Sequence, residues 1–455
     1  MMKTTNNLTE GSILKILISF TIPILLSMLL QTAYGTADLY IVGQFSDISN
    51  VSGVSIGSML SQNVINFCVG LSMGTTVLIS RYIGSGEKTK ASKVMGVSIL
   101  GFTVLAIVCT VGITLLSDEL VTIMNVKPEA YDAAKSYLFI SGLGCIFIVF
   151  YNLLGSIFRG IGDSKTPLLT VFVACITNIV LDLILVGYFK MGATGAAIAT
   201  VVAQAISVLM SLIVIMKRGL PFEFNRSYIN FDLSYFLSIL KIGIPSALQM
   251  LLSGLSFLVL SSLMNEFSMA ASAAVGIVGK VTGIILVVPQ SFSQSLAPFT
   301  AQNMGANKTA RANKALLYAI AISVLIGTIT GYLSFFHGEI FIRMFTNEPD
   351  AIAASLSYLK SYSPDCILVA IMFCLAGYLN GREETTFVMF QSILGSFLIR
   401  IPFSYLFSTF ENTSLFLIGL AIPISTLIQI LVTLVYMRRR NILGKSVTSN
   451  TKVSI

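Results

Sequence analysis

The segment "IPILLSMLL" (Ile22–Leu30) returns later in the chain as "IPSALQMLL" (Ile244–Leu252), with identical residues at six of the nine positions. Aligning Pro23 with Pro245 gives an offset of 222 residues. Two further pairs of segments agree at an offset of 221: "RYIGSGEKTKASK" (Arg81–Lys93) with "QNMGANKTARANK" (Gln302–Lys314), and "KSYL" (Lys135–Leu138) with "LSYL" (Leu356–Leu359). The sequence therefore contains two similar halves in tandem.

The composition places both halves in a membrane. The chain has 455 residues, of which 55% are hydrophobic and 11% charged, and its mean hydropathy is +0.87. A bilayer core about 30 Å thick needs roughly 20 apolar residues of helix, and such segments recur along the whole chain with short links between them. We predict an all-α integral membrane protein with twelve transmembrane helices, near residues 13–40, 52–77, 94–116, 134–157, 167–187, 193–216, 236–263, 271–297, 315–336, 356–379, 388–408 and 414–437.

The repeat divides these spans into two six-helix lobes. We predict an N-terminal lobe over residues 1–216, a cytoplasmic linker over 217–235, and a C-terminal lobe with a basic cytoplasmic tail over 236–455. An even number of spans in each half gives both halves the same orientation, so the internal repeat is parallel. This design is typical of transporters that work by alternating access, although a duplicated structural or channel protein would also produce it.

The basic residues indicate how the chain lies in the membrane. Of 28 Lys and Arg residues, 21 fall in the loops and ends on the side of the N-terminus, five fall on the other side, and Lys280 and Arg400 fall inside spans. An excess of Lys and Arg marks cytoplasmic loops, so both termini are predicted to be cytoplasmic, in the cell membrane. The net charge of +8 thus reflects contacts with the lipid bilayer, and we expect no nucleic-acid partner.

Acidic residues are rare inside the predicted spans. Of twenty Asp and Glu residues, only Asp38 and Asp182 lie well inside a span, while Glu266 and Asp365 fall near span ends. Placing an Asp at the centre of a bilayer costs roughly 2.5–3.5 kcal/mol on insertion scales, so such residues usually face a cavity and bind something. The alternative is a pair of neutral acids that hold helices together through hydrogen bonds.

Three predicted spans of the first lobe carry polar side chains at helical spacing. These are Gln31, Tyr34 and Asp38 on the first span, Asn178 and Asp182 on the fifth, and Thr200 and Gln204 on the sixth. Residues three or four apart share one helix face, so the three polar faces are predicted to converge. Two carboxylates in such a pocket suit either H⁺ exchange or the binding of Na⁺, which is possible at Asp38 and Asp182, and the sequence leaves both open.

The second lobe does not repeat these acids. The offsets carry Asp38 to Leu260, Asn178 to Ile399 and Asp182 to Phe403. Ion coupling is therefore predicted to belong to the first lobe alone. For the second lobe's intramembrane cations, Lys280 and Arg400, we favour a structural role.

Several motif classes are missing from the sequence. "GSGEKT" (Gly84–Thr89) lacks the ending of a phosphate-binding loop, and "GIGDSK" (Gly160–Lys165) lacks the third glycine of a dinucleotide-binding turn. The six Cys residues have no metal-binding spacing, and His337 is the one histidine of the chain. We therefore predict a protein that is not an enzyme, needs no cofactor besides a coupling ion, and has no dedicated metal site.

Six stretches together resemble the multidrug and toxic compound extrusion (MATE) family. They are "YGTADLYIVGQF" (Tyr34–Phe45), "FRGIGDSKTPLL" (Phe158–Leu169), "NIVLD" (Asn178–Asp182), "GATGAAIAT" (Gly192–Thr200), "IGIPSALQ" (Ile242–Gln249) and "AQNMGANK" (Ala301–Lys308). The resemblance covers essentially the whole chain. It implies an antiporter that exports organic cations in exchange for H⁺ or Na⁺, with a first-lobe cation site at Asp38, Asn178, Asp182 and Thr200.

The chain also departs from part of the family pattern. One branch of the family keeps a Glu in span seven where this sequence has Ser253, and its span-ten Asp has no match because Asp365 lies about one turn too early. This departure puts Na⁺ coupling in the second lobe in doubt and favours the first-lobe site.

The sequence thus predicts a cation-coupled antiporter that exports organic cations, drugs and other xenobiotics. Gln31, Tyr34 and Gln204 are candidates for the substrate path, and we expect a monomer. A lipid-linked saccharide flippase of related two-lobe design is the nearest alternative, but more spans and several cationic cavity residues would be expected there. A membrane receptor or scaffold that transports nothing is the second alternative.

Overall fold

A computed structural model describes residues 7–124, 126–265, 267–411 and 413–442. All regular secondary structure within these ranges is helical, and part of the predicted basic tail, residues 443–455, lies outside them. The α-helices are α1 Ile13–Phe45, α2 Ile48–Gly84, α3 Lys88–Leu115, α4 Ser117–Ile123, α5 Pro128–Leu143, α6 Cys145–Gly160, α7 Lys165–Asp182, α8 Gly192–Arg218, α9 Leu233–Asn265, α10 Met269–Gly305, α11 Thr309–Ile342, α12 Pro349–Tyr362, α13 Asp365–Gly381, α14 Thr385–Ile393, α15 Ile401–Ser408, α16 Leu415–Gly419 and α17 Ala421–Arg439.

The helices confirm the predicted membrane protein. In the described ranges, ten helical stretches are long and apolar enough to cross a bilayer, and two bent pairs bring the number to twelve. The bent pairs are α5 with α6, which meet at 53°, and α12 with α13, which meet at 47°. Each predicted span corresponds to one of these stretches.

The breaks in the helices follow the internal repeat. Leu116, between α3 and α4, has φ −97° and ψ 15°, and His337, 221 residues later, has φ −125° and ψ 20° at a kink inside α11. The bends of the two broken pairs are also repeated, at Gly144 and at Ser363–Pro364. The two halves therefore share helix breaks as well as sequence.

The described chain groups into two compact units. Unit 1 contains Ser19–Ala247, whereas unit 2 contains Leu8–Ile18 and the chain from Leu248 onward. The start of α1 thus groups with unit 2, and the start of α9 groups with unit 1. The predicted division into lobes at residues 216 and 236 stays a prediction.

Arg311 fixes the first described residues to α11 within unit 2. Its guanidinium donates hydrogen bonds to the carbonyl oxygens of Leu8 (3.2 Å), Glu10 (2.8 Å) and Gly11 (2.6 Å). Leu8 itself is fully buried. One side chain thereby anchors the segment that leads into α1.

Glycines allow close backbone approach within unit 1. A Cβ added at Gly74 of α2 would lie 2.2 Å from the carbonyl oxygen of Ile239, in the part of α9 that groups with unit 1. At Gly96 of α3 the added Cβ would lie 1.8 Å from the carbonyl oxygen of Tyr228. Neither position has room for a side chain. The two glycines therefore allow residues 228–239 to pack closely on α2 and α3.

This packing predicts that Gly96→Ala destabilises the protein. The new methyl group must displace the Tyr228 carbonyl, and such overpacking costs about 1–3 kcal/mol. We expect the melting temperature in detergent to fall by several degrees. Gly112→Ala in the same helix is the control, because no described atom outside the helix backbone lies within 4 Å of its added Cβ. Equal loss of stability in both variants would contradict the proposed close contact.

Candidate cation site

Asp38 and Asp182 come together inside unit 1. Asp38 lies on α1 and is 5% exposed, and Asp182 is the last residue of α7 and is fully buried. Their carboxyl groups lie side by side, within reach of a shared proton. The prediction that the acids of the first and fifth spans converge therefore agrees with the structure.

A π-helical segment, Leu183–Tyr188, follows Asp182 directly. A π-helix is wider than an α-helix and is uncommon, and short stretches of it often occur at functional sites. The change of helix type places Asp182 at a point where the backbone hydrogen-bond pattern shifts. The fifth span is thus locally irregular at its acidic residue.

Asn178 and Thr200 complete the polar cluster. Asn178 lies one turn before Asp182 on α7 and is 1% exposed, and its Nδ2 donates a hydrogen bond to Thr200 Oγ1 on α8 at 3.4 Å. Both side chains are within hydrogen-bonding reach of the Asp38 carboxyl group. The four residues predicted for cation coupling therefore form one cluster.

The cluster is rich in acceptors and poor in donors. Four of its buried oxygens have no hydrogen-bond partner within the described chain: Asp38 Oδ1, Asp182 Oδ1 and Oδ2, and Asn178 Oδ1. Gln204 Oε1, on the adjoining cavity, is a fifth. Leaving buried acceptors unsatisfied is costly, because they lose water and gain nothing in return. A proton or a metal cation is the kind of group that satisfies several such oxygens at once.

Asp163 shows what a structural carboxylate looks like in the same unit. It is also buried, at 2% exposed. Its Oδ1 accepts from the backbone N–H groups of Lys165 and Thr166 at 3.0 Å, and its Oδ2 accepts from Thr166 Oγ1 at 2.6 Å. Both oxygens of Asp163 are therefore satisfied by the protein, whereas neither oxygen of Asp182 finds a donor among the described residues.

A narrow cavity, with room for about one water molecule, adjoins the cluster. Its lining residues are Tyr34, Tyr151, Val171, Ala174, Asn178, Thr200, Ala203, Gln204 and Ser207. Tyr34 and Gln204, both predicted for the substrate path, thus face the same space as the cation cluster. Gln31 is exposed and reaches this space only indirectly, by donating a hydrogen bond to Tyr151 Oη at 2.7 Å.

Tyr137 is a site residue that the sequence analysis missed. It lies on α5, is 3% exposed, and its hydroxyl lies within reach of Thr200 and close to both carboxyl groups. A Cβ added at Gly57 of α2 would lie 2.4 Å from its ring. The signal was present in the repeated "KSYL" and "LSYL" segments, which set Tyr137 over Tyr358.

The second lobe's charged residues differ from the expectation in one respect. Asp365 was placed near a span end, but it is 2% exposed and begins α13 at the bend of the α12–α13 pair. Because the two helices form one span, Asp365 lies in its middle. Arg400 is 8% exposed, whereas Lys280 is exposed to its surroundings.

The site residues do not include a dedicated metal centre of the ordinary kind. In the described ranges, no group of three or more His, Cys, Asp and Glu side chains is placed to hold a metal ion. The acceptor cluster instead combines two carboxyl groups with neutral amide and hydroxyl oxygens, which matches the chemistry of H⁺ or a hard monovalent cation.

Comparison with known proteins identifies the family of the chain. A family model described as MatE matches residues 23–184 and again 245–406, which are the two halves of the repeat at an offset of 222. The probable multidrug resistance protein YpnP of Bacillus subtilis (strain 168) is 26% identical over 431 residues, 94% of this chain and 96% of that protein. The multidrug export protein MepA of Staphylococcus aureus (strain MSSA476) is 24% identical over 395 residues, 85% of this chain and 86% of that protein.

Solved structures confirm the fold. The crystal structure of a MATE protein in complex with MaL6 superposes with a TM-score of 0.91 at 23% identity, covering 96% of this chain and 98% of the other. The outward-facing structure of a multidrug resistance MATE family transporter gives a TM-score of 0.91 at 22% identity, covering 97% and 98%. With the family model matched in both halves, this multi-pass membrane protein belongs to the MATE family of multidrug efflux transporters, which are not enzymes and need no cofactor.

Proposed function

We propose that the protein is a cation-coupled antiporter, in which the Asp38–Asp182 pair carries the coupling ion and small organic cations are exported. The observation that supports this most strongly is the set of five buried acceptor oxygens without a donor in the described chain. Such a set is unfavourable when empty and favourable when a cation occupies it.

The proposed cycle rests on competition for this pair. With no cation present, two buried carboxylates repel each other, and binding of a cation relieves the repulsion. An organic cation bound beside the pair and the coupling ion at the pair therefore exclude each other electrostatically. Alternating access would expose the site first to one side of the membrane and then to the other.

We favour H⁺ as the coupling ion and keep Na⁺ as the alternative. Two carboxyl groups that lie side by side can share one proton without any further ligand. Na⁺ would need several oxygens at once, and Asn178 Oδ1 is available to contribute to such a set. The same side chains surround the site for either ion. The choice between H⁺ and Na⁺ therefore rests on how many oxygens the bound ion contacts.

The substrate class is proposed from the cavity and from relatives. Tyr34 and Tyr151 supply aromatic surface beside the acids, and aromatic faces attract organic cations. Two similar proteins are named for multidrug resistance or multidrug export. Both features favour small organic cations over the saccharide lipids of a flippase, whose phosphates would call for basic residues in the cavity.

The remaining predictions become part of the same proposal. We propose that both termini are cytoplasmic, that the protein lies in the cell membrane as a monomer, and that residues 1–216 and 236–455 act as the two moving lobes. The support is the distribution of basic residues and the tandem repeat.

Replacing Asp182 or Asp38 by Asn tests the coupling role. We expect dye efflux driven by an imposed ion gradient to fall about tenfold or more in proteoliposomes, because an amide cannot take up and release a proton and has no negative charge to hold Na⁺. Asp163→Asn is the matched control, since this equally buried Asp has all its acceptors satisfied and Asn can accept the same backbone bonds. Full gradient-driven efflux in both Asp38→Asn and Asp182→Asn would remove the pair from the mechanism.

Separate gradients identify the coupling ion. Proteoliposomes are given either a pH gradient without Na⁺ or a Na⁺ gradient at equal pH, and efflux of a cationic dye is followed. We expect the pH gradient alone to drive efflux. Efflux driven only by Na⁺ would overturn the choice of H⁺ while leaving the role of the carboxyl pair intact.

Tyr137→Phe tests the residue that the sequence did not reveal. The substitution removes a hydroxyl whose hydrogen bond contributes about 1 kcal/mol, and its loss should slow transport about fivefold without unfolding the protein. Tyr131→Phe, also on α5, is the control, because its hydroxyl contacts Thr122 and Asp118 away from the site. Equal transport rates for both variants would show that Tyr137 only fills space.

A further inference from the structure

Unit 2 contains a buried cation with unsatisfied donors. Arg400 is 8% exposed, and its Nε and Nη1 have no hydrogen-bond acceptor among the residues that the structure describes. Burying a guanidinium without acceptors is costly, because the charge loses its hydration and gains no hydrogen bond in return. This is the reverse of unit 1, where buried acceptors lack donors, and the cation-coupling proposal makes no use of it.

The surroundings of Arg400 are aromatic and acidic. Its guanidinium lies over the ring of Phe257 on α9, with 4.7 Å between the guanidinium carbon and the ring centroid. Tyr358, Tyr362 and Asp365 are close enough to interact with it electrostatically. Asp365 Oδ1 also has no partner in the described chain, so the acid leaves Nε and Nη1 of Arg400 unsatisfied.

The backbone at Arg400 is irregular in the same way as the backbone at Asp182. Arg400 ends the π-helical segment Leu394–Arg400, and the α-helix α15 begins at the next residue. Ser256 Oγ on α9 donates a hydrogen bond to the carbonyl oxygen of Ser396 at 3.3 Å. Ser256, the residue before Phe257, is therefore bonded to the segment that carries Arg400. This hydrogen bond helps to keep the Phe257 ring beside the guanidinium.

Phe257 separates the guanidinium from the outside of unit 2. Its side chain is 41% exposed, whereas Arg400 behind it is 8% exposed. A planar ligand that stacks against or displaces this ring would bring its own polar group to Nε or Nη1. Each of these atoms shares an edge of the guanidinium with Nη2, and either edge matches the two oxygens of a carboxylate.

We propose that Arg400 and Phe257 form a binding site for the carboxylate group of small aromatic molecules. The site lies in unit 2 and is independent of the cation cluster in unit 1, so it goes beyond the proposed cation coupling. Asp365 opposes the ligand by electrostatic repulsion and competes for the guanidinium. The transporter would then accept aromatic acids, and molecules bearing both an acid and an amine, as well as organic cations.

Calorimetric titration of the purified full-length protein in detergent with benzoate tests the site. We expect saturable binding that weakens about tenfold or more in Arg400→Gln and also weakens in Arg400→Lys, which keeps the charge but loses the fork. Lys280→Gln is the matched control, because Lys280 is the other cation within a span of unit 2 and is exposed. Its affinity for benzoate should equal that of the wild type.

The Asp365→Asn variant gives the result of opposite sign. Removing the competing carboxylate should tighten benzoate binding several-fold, whereas a merely structural acid would leave the affinity unchanged or lower it. Thermal melts of each variant separate loss of binding from loss of fold, and if Arg400→Gln does not fold, Phe257→Leu should still weaken binding.

Two controls complete the design. Benzylamine should show no dependence on Arg400, and Asp38→Asn should bind benzoate normally, which distinguishes this site from the proposed coupling site. The proposal is overturned if the wild type shows no saturable benzoate binding, if Arg400→Gln binds as well as Lys280→Gln, or if Asp365→Asn abolishes binding.

Discussion

Inside a bilayer, every polar group must find its partner within the protein, because the hydrocarbon offers none. The helices meet this requirement for the backbone, and Asp163 meets it for a buried side chain. The cluster around Asp38 and Asp182 does not, since four of its oxygens lack donors in the described chain. That deficit is the physical constraint on which the functional account depends, because an added cation can satisfy several of these oxygens at once.

The repeat explains where this deficit can occur. Both halves keep the same helix breaks and the same buried tyrosine, Tyr137 in one and Tyr358 in the other. The charges around that tyrosine differ: acids gather near Tyr137, and Arg400 lies near Tyr358. Duplication thus supplied one scaffold twice, and divergence placed a pair of unpartnered acids in one copy and a buried Arg with unpartnered donors in the other.

Much of this could be predicted from the sequence, for identifiable reasons. Hydropathy and the repeat predicted the spans, since long apolar helices leave a strong signal, and helical spacing predicted that Asp38, Asn178 and Asp182 converge. Tyr137 was missed because buried tyrosines are common, and the neighbouring residues in the sequence do not indicate that its hydroxyl faces a polar site. Asp365 was placed near a span end because hydropathy put the start of that span near residue 356, whereas α12 begins at Pro349.

The most direct test measures the cation that leaves the carboxyl pair. A cationic substrate is added to purified protein in weakly buffered solution, and the H⁺ released, or the radioactive Na⁺ released from preloaded protein, is counted. The account predicts release of about one cation per molecule by the wild type and none by Asp182→Asn. Equal release by both proteins, or substrate binding by the wild type without any release, would contradict it.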